Sequence, residues 1–254
     1  MGSLEAVAGR LRIVGGRVLQ GALRKAGTRC MFCGRAMQGV ASDSCCPECT
    51  HALAPRSSGF CPLCGEPYAA QGEAVALCGP CRTLHRPWSG FGFYAVYKGA
   101  LSEAITSFKY RADFGYLRLL QYCLLQAWQR HLAVFGCDVV VPVPLHPRRL
   151  GQRGFNQSLE ICRPLAPRLK AALAPKALCR LRDTASQSGL DRPQRRRNMS
   201  WSVSGDPDIV RSLRILLVDD VYTTGVTAEV CSRALLRAGA RRVDLLVLAR
   251  VAEA

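Results

Sequence analysis

Read for alternation of apolar and polar positions, the chain changes texture near residue 90. Before that point there is little periodicity: residues 28–86 are short segments rich in Cys, Gly and Pro. Such a stretch cannot build a core from side chains alone and needs a metal to fold. Ahead of it, residues 3–26 place Leu4, Val7, Leu11, Val14, Val18 and Leu23 roughly on one helical face, interrupted at Gly15-Gly16. An extension packed on the body or partly disordered is expected, with a membrane-surface helix as the alternative. From Phe91 onward the periods become regular. Residues 91–97, 138–143, 213–218 and 243–248 read as strands, with a short one at 177–181. Residues 101–110, 116–132, 156–172 and 224–238 read as helices, the third broken at Pro164 and Pro167 and the last ended by Gly239. The polar, Arg-rich stretch 182–198 reads as a loop. Strands alternating with helices predict a mostly parallel sheet and the α/β class. The expected organisation is an extension over 1–27, a cysteine-rich module over 28–86 and an α/β domain over 90–252.

Composition narrows this picture. With 254 residues, 49% of them hydrophobic, the chain can bury a substantial core. No apolar run approaches the roughly 20 residues that span a bilayer. Residues Met1 to Glu5 carry an early acid and no apolar signal region, so a cytoplasmic protein is expected. The formal net charge is +17, concentrated between His146 and Ser200, where Lys and Arg greatly outnumber the acids Glu160, Asp183 and Asp191. A basic band of this kind favours a polyanion, such as nucleic acid, or a phosphate-rich ligand. Aromatic and basic residues of the cysteine-rich stretch (Phe32, Phe60, Tyr68 and Trp88 with Arg29, Arg35, Arg56, Arg82 and Arg86) could also stack bases, or the rings could pack the modules onto the body.

Most of the 14 cysteines come as C-x-x-C pairs. Cys30 and Cys33 precede Cys46 and Cys49; Cys61 and Cys64 precede Cys78 and Cys81. In a reducing compartment each set of four soft ligands suits a tetrahedral Zn²⁺ better than disulfides. All-Cys sites are closed, so the expected role is structural. The doublet leaves Cys45 or Cys46 as the ligand. Cys123, Cys137, Cys162, Cys179 and Cys231 are scattered and read as plain buried residues.

The most informative segment runs from Ile215 to Thr227. A buried strand pattern ends in Asp219 and Asp220, a loop of Thr223, Thr224 and Gly225 follows, and a helix begins at its far side. Ligands of open α/β sheets bind at the carboxyl ends of strands. Backbone N–H groups and hydroxyls at a helix N-terminus suit a phosphate, and adjacent carboxylates suit vicinal sugar hydroxyls with a divalent cation nearby. These residues ask for a sugar phosphate.

The segment resembles the 5-phosphoribosyl-1-pyrophosphate (PRPP) motif of type I phosphoribosyltransferases. Val141-Pro142-Val143-Pro144-Leu145-His146, then Arg153-Gly154-Phe155-Asn156-Gln157, then Arg182 with Thr184 and Gln187, then Arg196-Arg197-Asn198, resemble the ComF competence-protein family in the same order. That family has a double zinc ribbon ahead of a transferase-like domain. The resemblance implies a Mg²⁺-PRPP site in which Asp219 and Asp220 are the catalytic acids and hold the ribose hydroxyls. Thr223, Thr224, Gly225 and Thr227 would hold the 5-phosphate. Pro144, Leu145 and His146 would lie at the pyrophosphate, with Arg153 and Arg182 as its partners. His146 reads as a turn residue rather than a base. No residue identifies an acceptor nucleophile. An amidotransferase fits poorly, because no nucleophilic Cys begins the chain and the residues before the α/β domain leave no room for a glutaminase domain. Three functions follow from the resemblance. One is a PRPP-binding protein acting on single-stranded DNA, with a competence helicase or uptake proteins as possible partners. The others are a metabolic phosphoribosyltransferase and a PRPP-sensing regulator without chemistry.

Overall fold

The computed structural model describes residues 28–37, 45–68, 72–180 and 203–252, and it divides the chain into two compact units, 1–52 and 53–254. The expected N-terminal helix, and the loop with Arg182, Thr184, Gln187 and Arg196 to Asn198, lie outside the described residues.

In the first unit, strands β1 (Thr28–Arg29) and β2 (Ala36–Met37) pair antiparallel, and helix α1 covers Pro47–Ala52. Its buried cluster is Cys30, Cys46 and Cys49, with Phe32, Met37 and Cys45 packed against it. Among the described residues this cluster is small, and metal ligation by its thiols would add to its stability.

The second unit contains the short helix α2 (Gly79–Thr83) and the α/β body. In chain order the body comprises β3 (Gly90–Val96), α3 (Gly99–Arg111), α4 (Leu117–His131), β4 (Val139–Pro142), α5 (Pro147–Arg153), α6 (Gln157–Cys162), α7 (Leu165–Arg168) and β5 (Ala172–Leu173). It continues through β6 (Leu178–Arg180), β7 (Val203–Gly205), α8 (Pro207–Val210), β8 (Arg214–Tyr222), α9 (Val226–Arg237) and β9 (Arg242–Arg250). Strands β3, β9, β8, β4 and β5 form one parallel sheet in that order. Phe91, Leu245, Leu217 and Val141 align in a single row across it. The strands are apolar almost throughout because helices cover a parallel sheet on both faces.

The observed elements depart from the predicted ones in instructive places. Strand β8 does not stop at Val218. It carries Asp219 and Asp220 inside the sheet, because β9 goes on pairing with it as far as Tyr222 and Arg250. Helix α9 starts at Val226, with Gly225 as its N-cap in the left-handed region at φ 79°. The helix over 156–172 breaks at Pro164 as expected, giving α6 and α7, but Pro167 lies inside α7 and Ala172 belongs to β5. Helix α5 was not anticipated. Its signals are Pro147 at the first position and His146 Nδ1, which accepts from Arg148 N at 3.2 Å. Among the described residues no helix is long and apolar enough to cross a membrane.

Candidate functional site

The carboxyl end of β4 meets β8 just ahead of Asp219, where Val143 N donates to the Val218 carbonyl at 2.8 Å. Next to that junction Asp219, Thr223, Gly225 and Thr227 line a recess of about 30 Å³. Thr223 and Thr224 are exposed at its rim, while Gly225 is buried. Gly225 is required twice over. Its φ is positive, and an added Cβ would fall 2.2 Å from the Tyr222 hydroxyl.

The two acids have different surroundings. Asp219 accepts from Ser158 Oγ at 2.9 Å and from the Asp220 amide at 2.9 Å. Burial, together with the adjacent Asp220 carboxylate, pushes the Asp219 carboxyl well above the ordinary carboxylate range. Asp220 is buried and meets Lys109 Nζ at 2.7 Å. Burial works against the Lys109 charge, but Asp220 outweighs it and holds the ammonium above its usual value. An acid pair with one cation and few other donors is charge-deficient, and a further cation or a pair of sugar hydroxyls would relieve it.

The two cysteine quartets assemble as predicted. The Sγ atoms of Cys30, Cys33, Cys46 and Cys49 lie within 4.8 Å of one another, as do those of Cys61, Cys64, Cys78 and Cys81. The Cys33–Cys46 and Cys64–Cys78 separations are 3.8 and 3.6 Å. Four thiolates at a Zn–S distance of 2.3 Å would sit about 3.8 Å apart on a tetrahedron, so either set fits zinc. All fourteen cysteines are free of disulfides. Geometry settles the doublet in favour of Cys46. Cys45 stands outside the quartet, its thiol pushed up to about 11 by burial and the Cys30 charge. Each quartet opens with the same knuckle, in which Gly34 N donates to Cys30 O and Gly65 N to Cys61 O.

No protein-family model matches the chain. The "DNA utilization protein YhgH" of Salmonella typhi is 35% identical over 209 residues, 81% of this chain and 89% of that protein. "Competence protein F" of Haemophilus influenzae is 29% identical over 230 residues, 87% and 96% of the two chains. The chain belongs to the ComF family. Among solved structures, the glutamine PRPP amidotransferase of B. subtilis, complexed with ADP and GMP, gives a TM-score of 0.35 at 18% identity, covering 58% of this chain and 26% of that one. This ComF-family chain is an α/β protein with a five-stranded parallel sheet and flanking helices, and it carries two cysteine quartets of zinc-ribbon spacing.

The ComF-type segment Arg153 to Gln157 acts as a brace. Asn156 caps α6 through Ser158 N at 3.0 Å and donates to the Val143 carbonyl at 3.1 Å, so it fixes the turn of Pro144 to His146. One residue on from Gln157, Ser158 reaches Asp219. Phe155 packs between Phe108 and Phe114, with both centroids at 5.0 Å, and so ties the segment to the end of α3. Arg153 bonds Gln157 at 2.5 Å and lies 5.5 Å from the centre of the Tyr110 ring, which Lys109 also approaches at 5.9 Å. Arg153 and Lys109 thus share contact with the Tyr110 ring. His146 serves as a helix cap. Arg182 lies outside the described residues.

Several participants were not anticipated. Lys109 arrives from α3, over a hundred residues upstream, and no local pattern marks it. Ser158 was within reach as the next residue of the brace. Arg250 and Tyr222 had one signal each, a charge closing the apolar run Leu245 to Ala249 and an aromatic at the head of a polar loop. Phe60 and Trp88 of the second cysteine module pack into the body, whereas Tyr68 is exposed. Phe60 meets Phe93 edge-on at 5.1 Å, and Trp88 is buried with Tyr222 6.0 Å away. Of the scattered cysteines, Cys123, Cys162 and Cys231 are buried as expected, whereas Cys179 is exposed and Cys137 is half-buried. Cys179 and Cys137 correct the expectation: the first sits on the short two-stranded ladder β6–β7, the second before β4, both at the edge of the core.

Proposed function

We propose that this chain is a PRPP-binding protein that works with single-stranded DNA in the cytoplasm during natural competence or DNA use. A double zinc ribbon over 28–86 would precede a transferase-like domain over 90–252. The observation that carries this reading is the charge-deficient pair Asp219 and Asp220 beside the small recess lined by Thr223, Gly225 and Thr227 at the start of α9. Asp219 and Asp220 hold the ribose hydroxyls. Thr223, Thr224, Gly225 and Thr227 hold the 5-phosphate at the start of α9, where backbone N–H groups and the helix dipole favour an anion.

The turn of Pro144, Leu145 and His146, with Arg153 and Arg182, faces the pyrophosphate. A planar guanidinium binds phosphate oxygens bidentately. The acid pair also suits Mg²⁺, which would neutralise pyrophosphate as a leaving group. Ser158 and Lys109 hold the acids in place while substrate is bound, and Asn156 fixes the turn. The printed names of the relatives, "DNA utilization" and "competence", support DNA as the second partner, and the formal charge of +17 supports a polyanion.

Fluorescence anisotropy with labelled single-stranded DNA, at several salt concentrations and with and without Mg²⁺-PRPP, tests this reading. Binding that weakens steeply with salt and shifts with PRPP is expected. DNA-independent release of pyrophosphate with a small acceptor would point to a metabolic transferase instead. PRPP binding with neither DNA affinity nor pyrophosphate release would leave a regulator.

A further inference from the structure

Arg250 closes β9 and is only 3% exposed. A guanidinium that deep is costly unless its donors are used. Here Nε donates to the Cys64 carbonyl at 2.9 Å, Nη1 donates to the Thr223 carbonyl at 3.0 Å and to the Val251 carbonyl, and Nη2 pairs with Glu66. Its carbon lies 4.9 Å from the centre of the Tyr222 ring. Cys64 is one of the four thiols of the second quartet, and Glu66 follows its knuckle. Thr223 opens the phosphate loop. One buried side chain therefore joins the metal module to the loop.

The surroundings make this bridge stiff. Gly65, between the two ribbon partners, packs so closely on β3 that an added Cβ would lie 2.6 Å from the Phe91 ring. Trp88 Nε1 donates to the Leu63 carbonyl at 2.7 Å, so the knuckle is held at Leu63 as well as at Cys64. Tyr222 stands edge-on to Phe91 at 5.2 Å and puts its hydroxyl under Gly225. In a trans peptide the carbonyl and the following N–H point to opposite sides. Holding the Thr223 carbonyl toward Arg250 thus turns the Thr224 N–H away from the guanidinium.

We propose that Arg250 is a positioning residue that makes the shape of the phosphate loop depend on metal binding in the second cysteine quartet. The knuckle must close around its ion to present the Cys64 carbonyl and Glu66 to the guanidinium. The guanidinium then fixes the Thr223 peptide. This rests on the loop being the 5-phosphate site, but the coupling itself can be read without any ligand.

The experiment is hydrogen exchange of the peptide spanning the loop in zinc-loaded wild type, Arg250→Lys, Glu66→Gln and Cys78→Ser. Zinc content and a calorimetric titration with Mg²⁺-PRPP are measured on each. Arg250→Lys and Glu66→Gln should keep both ions and the wild-type circular dichroism spectrum. Their loop exchange should rise about tenfold and their PRPP affinity should fall about tenfold, as loss of charge-assisted hydrogen bonds implies. Cys78→Ser should lose one ion and show the same loop exchange. Loop exchange at the wild-type rate in Arg250→Lys and Glu66→Gln overturns the coupling, whether or not PRPP binds. Altered exchange in a protein whose wild type ignores PRPP leaves the coupling standing and sinks the ligand assignment. Should Arg250→Lys fail to fold, Glu66→Gln leaves the guanidinium in place and reads the ribbon side alone.

Discussion

At the scale of the residue, the acid pair shows how a binding site costs stability. Asp219 is held in a buried, like-charged setting that favours its neutral form. Its folded-state pKa therefore lies above its unfolded value, so the folded chain binds more protons than the unfolded chain in the interval between the two. Through this group, stability rises as pH falls through the raised value and is complete below the ordinary value of 3.8. Above the raised value the ionised carboxylate opposes folding. Asp219→Asn keeps an oxygen for Ser158 and removes the charge, so it should be more stable than wild type at pH 8 by about 1 kcal/mol, the size of a one-unit shift. The gap should close toward pH 5. Denaturant unfolding at both pH values checks this, and equal stability at pH 8 would mean that the charge is not strained. Lys109 has the complementary role of offsetting the neighbouring acid. The acids were legible in the sequence because they are adjacent and end an apolar run. Lys109 was not, because its contact is made across the fold.

At the scale of the element, legibility followed the source of stability. The long strands β8 and β9 and the helix α9 could be read because their periodicity is what buries them. Helix α5 is only seven residues long and owes its existence to Pro147 and a histidine cap rather than to an apolar face. The carboxyl end of β8 was missed because pairing with β9 overrides the weak strand preference of two aspartates. The cysteine modules were legible through spacing alone, since their fold is set by metal geometry. They should respond differently to loss of the ion. Among the described residues the first quartet has Phe32, Met37 and Cys45 packed against it, whereas Cys61, Cys64 and Cys81 merge with Phe91, Phe93 and Tyr222 in the main core. Cys33→Ser should therefore lose one zinc and leave the main thermal transition within about 1 °C. Cys81→Ser should lose one zinc and lower that transition by more than about 5 °C. Metal analysis with a thermal melt decides it, and equal shifts would contradict the distinction.

At the scale of the whole molecule, a parallel sheet brings the ends of distant segments to one edge. The acids from β8, the turn after β4, the brace before α6 and the lysine of α3 meet there, and Asn156, Ser158 and Phe155 hold them together. The sequence order of these motifs pointed to the site, but only the fold shows that the brace carries three separate tasks. The basic band was legible as charge, and much of it, from 181 to 200, lies outside the described residues. The central claim is that this edge binds PRPP. Its most direct test is a calorimetric titration of the zinc-loaded protein with Mg²⁺-PRPP, beside Asp220→Ala and Thr224→Ala. Saturable one-site binding by wild type, weakened at least about tenfold in each variant, is the predicted result. A folded wild type with two zinc ions and no heat of binding would contradict it.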